Sequence, residues 1–557
     1  MKRPVKTLTS LASILVSIIA STSLQAKCQL ITNVNGFTPA GQSTQLKQFN
    51  WLAFEQGKIT AVGKGESDKT FEKCQKLDGE GKVMLPGLID AHGHVSGLGN
   101  EMLRVKLRDV ASEELAVERV KAFAQKNQKS QWILGRGWNQ VLWLNKQFPT
   151  AASLDKTGIK RPIILRRIDG HAAWVNSKAL EIAGITNSTP DPQGGKIIRD
   201  NDGKATGVLI DTAIGLVESK IPEPSLLEQD YAFDKAFAHL LTLGITSVHD
   251  AGVDQLDLQI YKNRVKEGRL PVRIYGMLAG SHPNLYQWLD DGHIADDKDL
   301  LSIRSVKLYS DGALGSRGAA LLAPYSDDVD NKGLLIVKPV KLDKFVEDIM
   351  AKNFQVNVHA IGDKGNRVVL NAIEKAYDKV GGKSLRHRVE HAQIVSLADI
   401  PRFKTLDMIA SMQPVHATSD KNMAGDRLGN ERLKGAYAWQ KFIQQGTIIA
   451  SGSDFPVELA NAFHGLHAAV TRQDRDNQPE GGWLPGEKMT PAQALRSFTL
   501  DAAYAAHQEK VIGSLEPGKW ADFILIDRDV INGNPQDIWK THVLQTWIAG
   551  ELKYQAE

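Results

Sequence analysis

Between residues 244 and 454 the chain repeats one pattern, a strand-length apolar run followed by an amphipathic helical stretch. The runs are Gly244-Ile-Thr-Ser-Val-His-Asp250, Ser305-Val-Lys-Leu-Tyr-Ser310, Gln355-Val-Asn-Val-His359, Arg386-His-Arg-Val-Glu-His391, Met408-Ile-Ala-Ser-Met-Gln413 and Thr447-Ile-Ile-Ala-Ser-Gly-Ser-Asp454. Such alternation predicts βα units around a parallel sheet. His359 and His391 are 32 residues apart, about one unit; His391 and Asp454 are 63 apart, two units, with the Met408 run midway. Ahead of Lys307 the rhythm breaks: His94 lies 213 residues earlier, too far for three units. An insertion is therefore expected at about 131–224, around the turn Pro190-Asp-Pro-Gln-Gly-Gly195. Large loops at a barrel mouth commonly shape pockets.

The ends read differently. Leu30–Val34, Gly57–Gly63 and Lys82–Met84 are short strands separated by turns, as are Ile512–Asp527 and His542–Ile548. The length of 557 residues suits a (β/α)8 barrel with insertions plus a small accessory domain. Residues 1–26 read as a signal peptide: a cationic start with Lys2, Arg3 and Lys6, an apolar core from Leu11 to Ala20, and Ala26 at the cleavage point. That core is too short to span a bilayer, and Lys27 sits where a lipidated Cys28 would need a small neighbour. The expected destination is a periplasm or the exterior, with no membrane anchor after cleavage.

Without residues 1–26 the formal charge falls from +4 to +1, and no basic block remains, so no nucleic-acid partner is expected. Two cysteines cannot make a disulfide scaffold. Cys28 and Cys74 either pair with each other or stay as two buried thiols.

The most informative stretch is Leu85-Pro-Gly-Leu-Ile-Asp-Ala-His92-Gly-His94. On an extended strand residues i and i+2 share a face, so His92 and His94 can converge on one metal ion. This stretch resembles the first-strand motif of the amidohydrolase superfamily. Val306-Lys-Leu-Tyr-Ser-Asp-Gly-Ala-Leu-Gly-Ser-Arg317, Arg388-Val-Glu-His-Ala-Gln393, Ser453-Asp-Phe-Pro456, Gly135-Arg-Gly-Trp138 and Asp169-Gly-His171-Ala-Ala-Trp-Val-Asn-Ser177 narrow the resemblance. They are similar to the amidohydrolase-3 branch, with its N-substituted formamide deformylases and YtcJ-like proteins.

The resemblance implies an α/β fold. On that resemblance residues 85–508 should form a (β/α)8 TIM-like barrel, and 27–84 with 509–557 one split β-sandwich from both chain ends. It also implies a ligand set at the C-terminal strand ends: His92, His94, His359, His391 and Asp454, with Lys307 as a carbamate able to bridge two metals. The alternative for Lys307 is an interior lysine paired with an acid. One or two divalent ions, zinc first by ligand type, would activate water, with Asp454 as the catalytic acid–base.

Other residues carry weaker signals. His171, Trp138 and His249 are candidate substrate-binding residues, each with a structural alternative, as is a pocket-wall role for Trp143. His416, His464 and His467 read as structural. Glu390, next to a ligand on its strand, should face away from the metal and orient a neighbour. Asp311-Gly-Ala-Leu-Gly-Ser-Arg317 lacks the Lys-Ser/Thr ending of a phosphate loop. The expected reaction is hydrolysis of a carbon–nitrogen amide bond in a small-molecule amide of the N-formyl or N-acyl amine type. The rivals are another carbonyl centre (lactone, cyclic amide or blocked dipeptide) and a catalytically dead binding protein. A homo-oligomer is compatible with the chain.

Overall fold

In a computed structural model of the chain, residues 28–41, 45–108, 110–128, 130–167, 172–192, 195–315 and 317–557 are described. The β-branched apolar runs form eight strands: β1 Leu88–Gly93, β2 Ile245–Val253, β3 Arg273–Ala279, β4 Leu301–Tyr309, β5 Gln355–Ala360, β6 Arg388–His391, β7 Ile409–Met412 and β8 Ile449–Ser451. They pair in parallel in that order. The ring closes where β1 and β8 end. Asp454 donates its N–H to the His92 carbonyl (2.7 Å), and His94 donates to the Phe455 carbonyl (2.8 Å). Buried aliphatic residues of strands and surrounding helices, such as Val248, Ile274, Val306, Val358, Leu240 and Leu370, merge into one core.

β3 is the strand that the apolar pattern does not reveal; the Gly244 run is the second barrel strand, directly beside β1. A glycine in its middle masks it. Gly276 gives room to Ile303 on β4, whose Cδ1 would lie 2.3 Å from an added Cβ and would have to shift.

The insertion carries its own six-stranded sheet, in the order Gly195–Arg199, Ala205–Asp211, Ala172–Val175, Ile163–Arg167, Ile133–Trp138, Val105–Lys106. It begins before the expected start at 131, because Val105 and Lys106 pair with Gly135 and Arg136. At the chain ends, Val83–Pro86 pairs antiparallel with Phe523–Ile526, joining N- and C-terminal segments in one six-stranded sheet. That sheet packs on an N-terminal four-stranded one through Ile31, Phe54, Met84, Phe523 and Trp547. Buried Arg273 makes a two-pronged ion pair with Asp522 (2.6 and 3.0 Å), fastening β3 to this sandwich. Among the described residues, no helix is long and apolar enough to cross a membrane.

Cys28 and Cys74 are joined in a disulfide, 46 residues apart in sequence. Closing a loop of that size restricts the unfolded chain, so Cys74→Ser should lower stability by about 2–4 kcal/mol. Urea unfolding of both proteins under oxidising conditions checks this; identical midpoints would show that the cross-link contributes nothing.

A second stability prediction concerns acid. His387, just before β6, is fully buried and uses both ring nitrogens: Nδ1 accepts the Val356 N–H (3.0 Å) and Nε2 donates to the Gly382 carbonyl (3.1 Å). Burial pushes its pKa down to about 3, against about 6.5 in an unfolded chain. The unfolded state therefore binds the proton first, and stability falls as pH drops from about 6.5 toward 3. His387→Gln, which does not titrate, should lose less stability than wild type between pH 7 and pH 4. Parallel losses would refute this role.

Candidate active site

The candidate ligands stand at the C-terminal ends of barrel strands, where such barrels carry their chemistry. Local structure fixes β1 against β8. The buried Asp90 carboxylate accepts the N–H groups of His92 (3.2 Å) and Ser453 (3.0 Å) and the Ser453 hydroxyl (2.6 Å). Gly452 must be glycine, since a Cβ would lie 2.5 Å from the His92 nitrogen. His391 and Asp454 both adopt left-handed backbone (φ 75° and 63°). Such conformations cost about 1–3 kcal/mol each and persist only where the surroundings impose them, characteristically at functional sites.

Three histidines have an oxygen against Nδ1. His94 Nδ1 donates to the Ala251 carbonyl (2.8 Å), His391 Nδ1 to Gln413 Oε1 (2.7 Å), and His92 Nδ1 to the Glu390 carboxylate. His92 and His391 are left with the Nε2 lone pair for another partner, whereas His94 Nε2 already lies 3.1 Å from Asp454 Oδ1. Among the described residues, buried His92 Nε2 and His359 Nε2 have no hydrogen-bond partner. Ligating atoms of His92, His391 and Asp454 all lie within 4.8 Å of one another. His94 joins them through Asp454, with Nε2 3.1 Å from Oδ1, and the His359 ring lies 4.5 Å from that of His391.

Electrostatics keep these groups in their ligating forms. Burial, then the Lys307 charge, pushes His92 down to about 4 and His359 to about 3, and burial holds His391 well below the usual histidine range. Burial alone would raise Asp454, but the His94 hydrogen bond and the neighbouring imidazoles hold it below the usual carboxylate range. At neutral pH His92, His359 and His391 are thus neutral imidazoles beside an ionised Asp454, a donor set that fits a divalent cation such as zinc.

Lys307 is 1% exposed on β4, its ammonium 4.3 Å from the centre of the Tyr309 ring. Among the described residues, no carboxylate oxygen lies within 4 Å of it, so the acid partner of the alternative reading is missing. Asp311 serves the backbone: its carboxylate accepts the N–H groups of Ala320, Ile361 and Gly362, anchoring the loop after β4 to the end of β5.

Other expected residues fall elsewhere. Trp138 and Trp143 are buried in the insertion core, their indole N–H groups on the Leu165 and Val110 carbonyls (2.7 and 3.0 Å); this is packing, with no face left to wall a pocket. His249 is fully buried beneath the cluster, its Nδ1 2.9 Å from Arg388. His171 lies outside the described residues. His467 bonds Asn477 (3.0 Å), away from the cluster.

Two residues face otherwise than expected, although Glu390 does orient a neighbour, His92. Glu390 is fully buried and turned toward the interior, on His92. Alternation holds only for extended backbone, and the left-handed turn at His391 lets neighbouring residues face the same side. His416, expected to be structural, holds its buried, unpartnered Nε2 3.7 Å from Asp454 Oδ2, with its ring stacked on that of His391. Its signal was Gln413-Pro-Val-His416, directly after the β7 apolar run.

Comparison with known proteins agrees with this geometry. Residues 75–554 match the model described as "Amidohydrolase family". The putative amidohydrolase YtcJ of Bacillus subtilis is 31% identical, over 90% of this chain and 95% of that protein. An N-substituted formamide deformylase of Arthrobacter pascens is 25% identical, over 86% and 90%. The crystal structure of an uncharacterised metal-dependent hydrolase from Pyrococcus furiosus superposes with a TM-score of 0.75 at 28% identity, covering 91% of this chain and all of that one. The chain belongs to the amidohydrolase family and is a metal-dependent hydrolase built on its barrel.

Proposed function

We propose that this protein hydrolyses the carbon–nitrogen bond of an N-formyl or N-acyl amine. The observation that carries the reading is the ionised Asp454 set close to His92 and His391, with His92 Nε2 unpartnered among the described residues, in a chain similar to a formamide deformylase. His92, His94, His359 and His391, with Asp454 and a carbamate on Lys307, would hold one or two divalent ions, zinc by ligand type. Such an ion supplies Lewis acidity, lowering the pKa of a water it binds from about 16 to about 7 and polarising a carbonyl.

The protein's own groups do the proton work. Asp454 Oδ1 faces His92 and His94 while Oδ2 faces His416, so one oxygen is directed at the cluster and the other is free to take a proton. Asp454 accepts the proton of the attacking water as its oxygen bonds to the acyl carbon. It returns that proton to nitrogen as the carbon–nitrogen bond breaks, releasing amine and carboxylic acid. Acid–base transfer of this kind contributes roughly 10²–10⁴-fold. The leader-like residues 1–26 and the Cys28–Cys74 disulfide support an exported protein, since disulfides persist in oxidising compartments.

The test is a panel of N-formyl amines, N-acyl amines, lactones and blocked dipeptides, offered to protein prepared with zinc and bicarbonate. Amine release from the first two classes is the expected result. Turnover confined to lactones would overturn the carbon–nitrogen reading.

A further inference from the structure

Beneath the imidazole cluster runs a row of buried polar side chains that the proposed reaction does not use. Arg388 and Glu390, two residues apart on β6, are both fully buried. The Arg388 Nε lies 2.7 Å from Glu390 Oε1, an ion contact without the alignment of a hydrogen bond. Its Nη2 donates to Glu390 Oε2 (3.1 Å), to the Ala91 carbonyl (2.6 Å) and to the Ser411 hydroxyl (2.8 Å). Its Nη1 donates to His249 Nδ1 (2.9 Å). Arginine has no acceptor, so His249 Nδ1 must be the lone-pair nitrogen and that ring is neutral. One guanidinium therefore ties together β1, β2, β6 and β7, and holds a carboxylate whose Oε2 accepts the His92 Nδ1–H.

A buried ion pair is a weak stabiliser, often replaceable by apolar side chains without loss, so stability alone does not explain this one. We propose that Glu390 and Arg388 are positioning residues for His92. Glu390 fixes the imidazole as the Nδ1–H tautomer with Nε2 aimed into the cluster, and Arg388 fixes Glu390. Neither residue touches the reacting atoms. The inference rests on reading the cluster as a metal centre, and not on the choice of substrate. Partners of this kind behind a ligating histidine are worth about 10–100-fold in metal affinity.

The experiment is a zinc competition titration against a chromophoric chelator at 25 °C, on the whole protein and on Glu390→Gln and Arg388→Lys. Circular dichroism verifies the fold, and cobalt(II) absorption spectra are recorded in parallel. Each variant should bind zinc about 10–100-fold more weakly while still folded, with a changed cobalt spectrum. A merely structural pair would lower Tm yet leave affinity and spectrum at wild-type values, and that result overturns the proposal. Should both variants fail to fold, Ser411→Ala, which removes one anchor of the guanidinium, should weaken zinc binding several-fold; unchanged affinity there refutes the proposal. Wild-type protein that binds no zinc would overturn this inference together with the metal reading. Zinc-binding protein that cleaves no amide would count against the substrate alone, with the variants still deciding the positioning role.

Discussion

Asp454→Asn should reduce amine release by about 10²–10⁴-fold, the size of the acid–base contribution, while the protein stays folded. Asparagine preserves the shape of the side chain and tolerates the left-handed backbone at this position (φ 63°) better than most residues. The amide can still occupy the position beside His94 Nε2, 3.1 Å away in the parent. What disappears is the negative charge and the basic oxygen facing His416. Initial rates with an N-formyl amine, beside a thermal melt, test this. A variant keeping more than about a tenth of wild-type kcat would remove Asp454 from the proton path.

The second large effect concerns Lys307. Its side chain is buried at the end of β4 near His92, His359 and His391, and among the described residues no carboxylate oxygen lies within 4 Å of its nitrogen. Carbon dioxide addition to its amine, with loss of a proton, gives an anionic carbamate and turns the side chain into a ligand. Wild-type protein equilibrated with ¹³C-bicarbonate should therefore show a carbamate carbon resonance that is absent from Lys307→Ala. The variant should also lose bound metal and about 10–100-fold or more in turnover, as for removal of a group that supports the metal. Absence of the label from active wild-type protein would refute the carbamate.

Much of this architecture is legible in the sequence because two periods dominate it. Parallel strands buried on both faces read as continuous apolar runs, and the spacing between His359, His391 and Asp454 follows the length of a βα unit. His92 and His94 are legible as a pair because a single strand sets their common direction. What fails to show is whatever depends on contacts between distant segments. β3 is hidden because Gly276 interrupts its apolar run, for a reason supplied only by Ile303 on the next strand. The insertion starts earlier than composition suggests because the two-residue strand Val105–Lys106 gains its identity from Gly135 and Arg136. Glu390 was assigned to the wrong face because the left-handed turn at His391 ends the alternation there. Trp138 looked like a pocket wall, yet the insertion is large enough to need a core of its own, and tryptophans are suited to fill one. His416 belongs to the first turn of a helix, where a period-two reading gives no direction, and only the closed barrel brings it to Asp454.

The central claim, that this cluster binds a divalent ion and cleaves an amide, is tested most directly by titrating metal-free protein with zinc while following amine release from an N-formyl amine. Turnover should be absent without metal and rise with added zinc until one or two ions per chain are bound. Turnover independent of metal, or full zinc occupancy with no cleavage of any amide, would contradict the account.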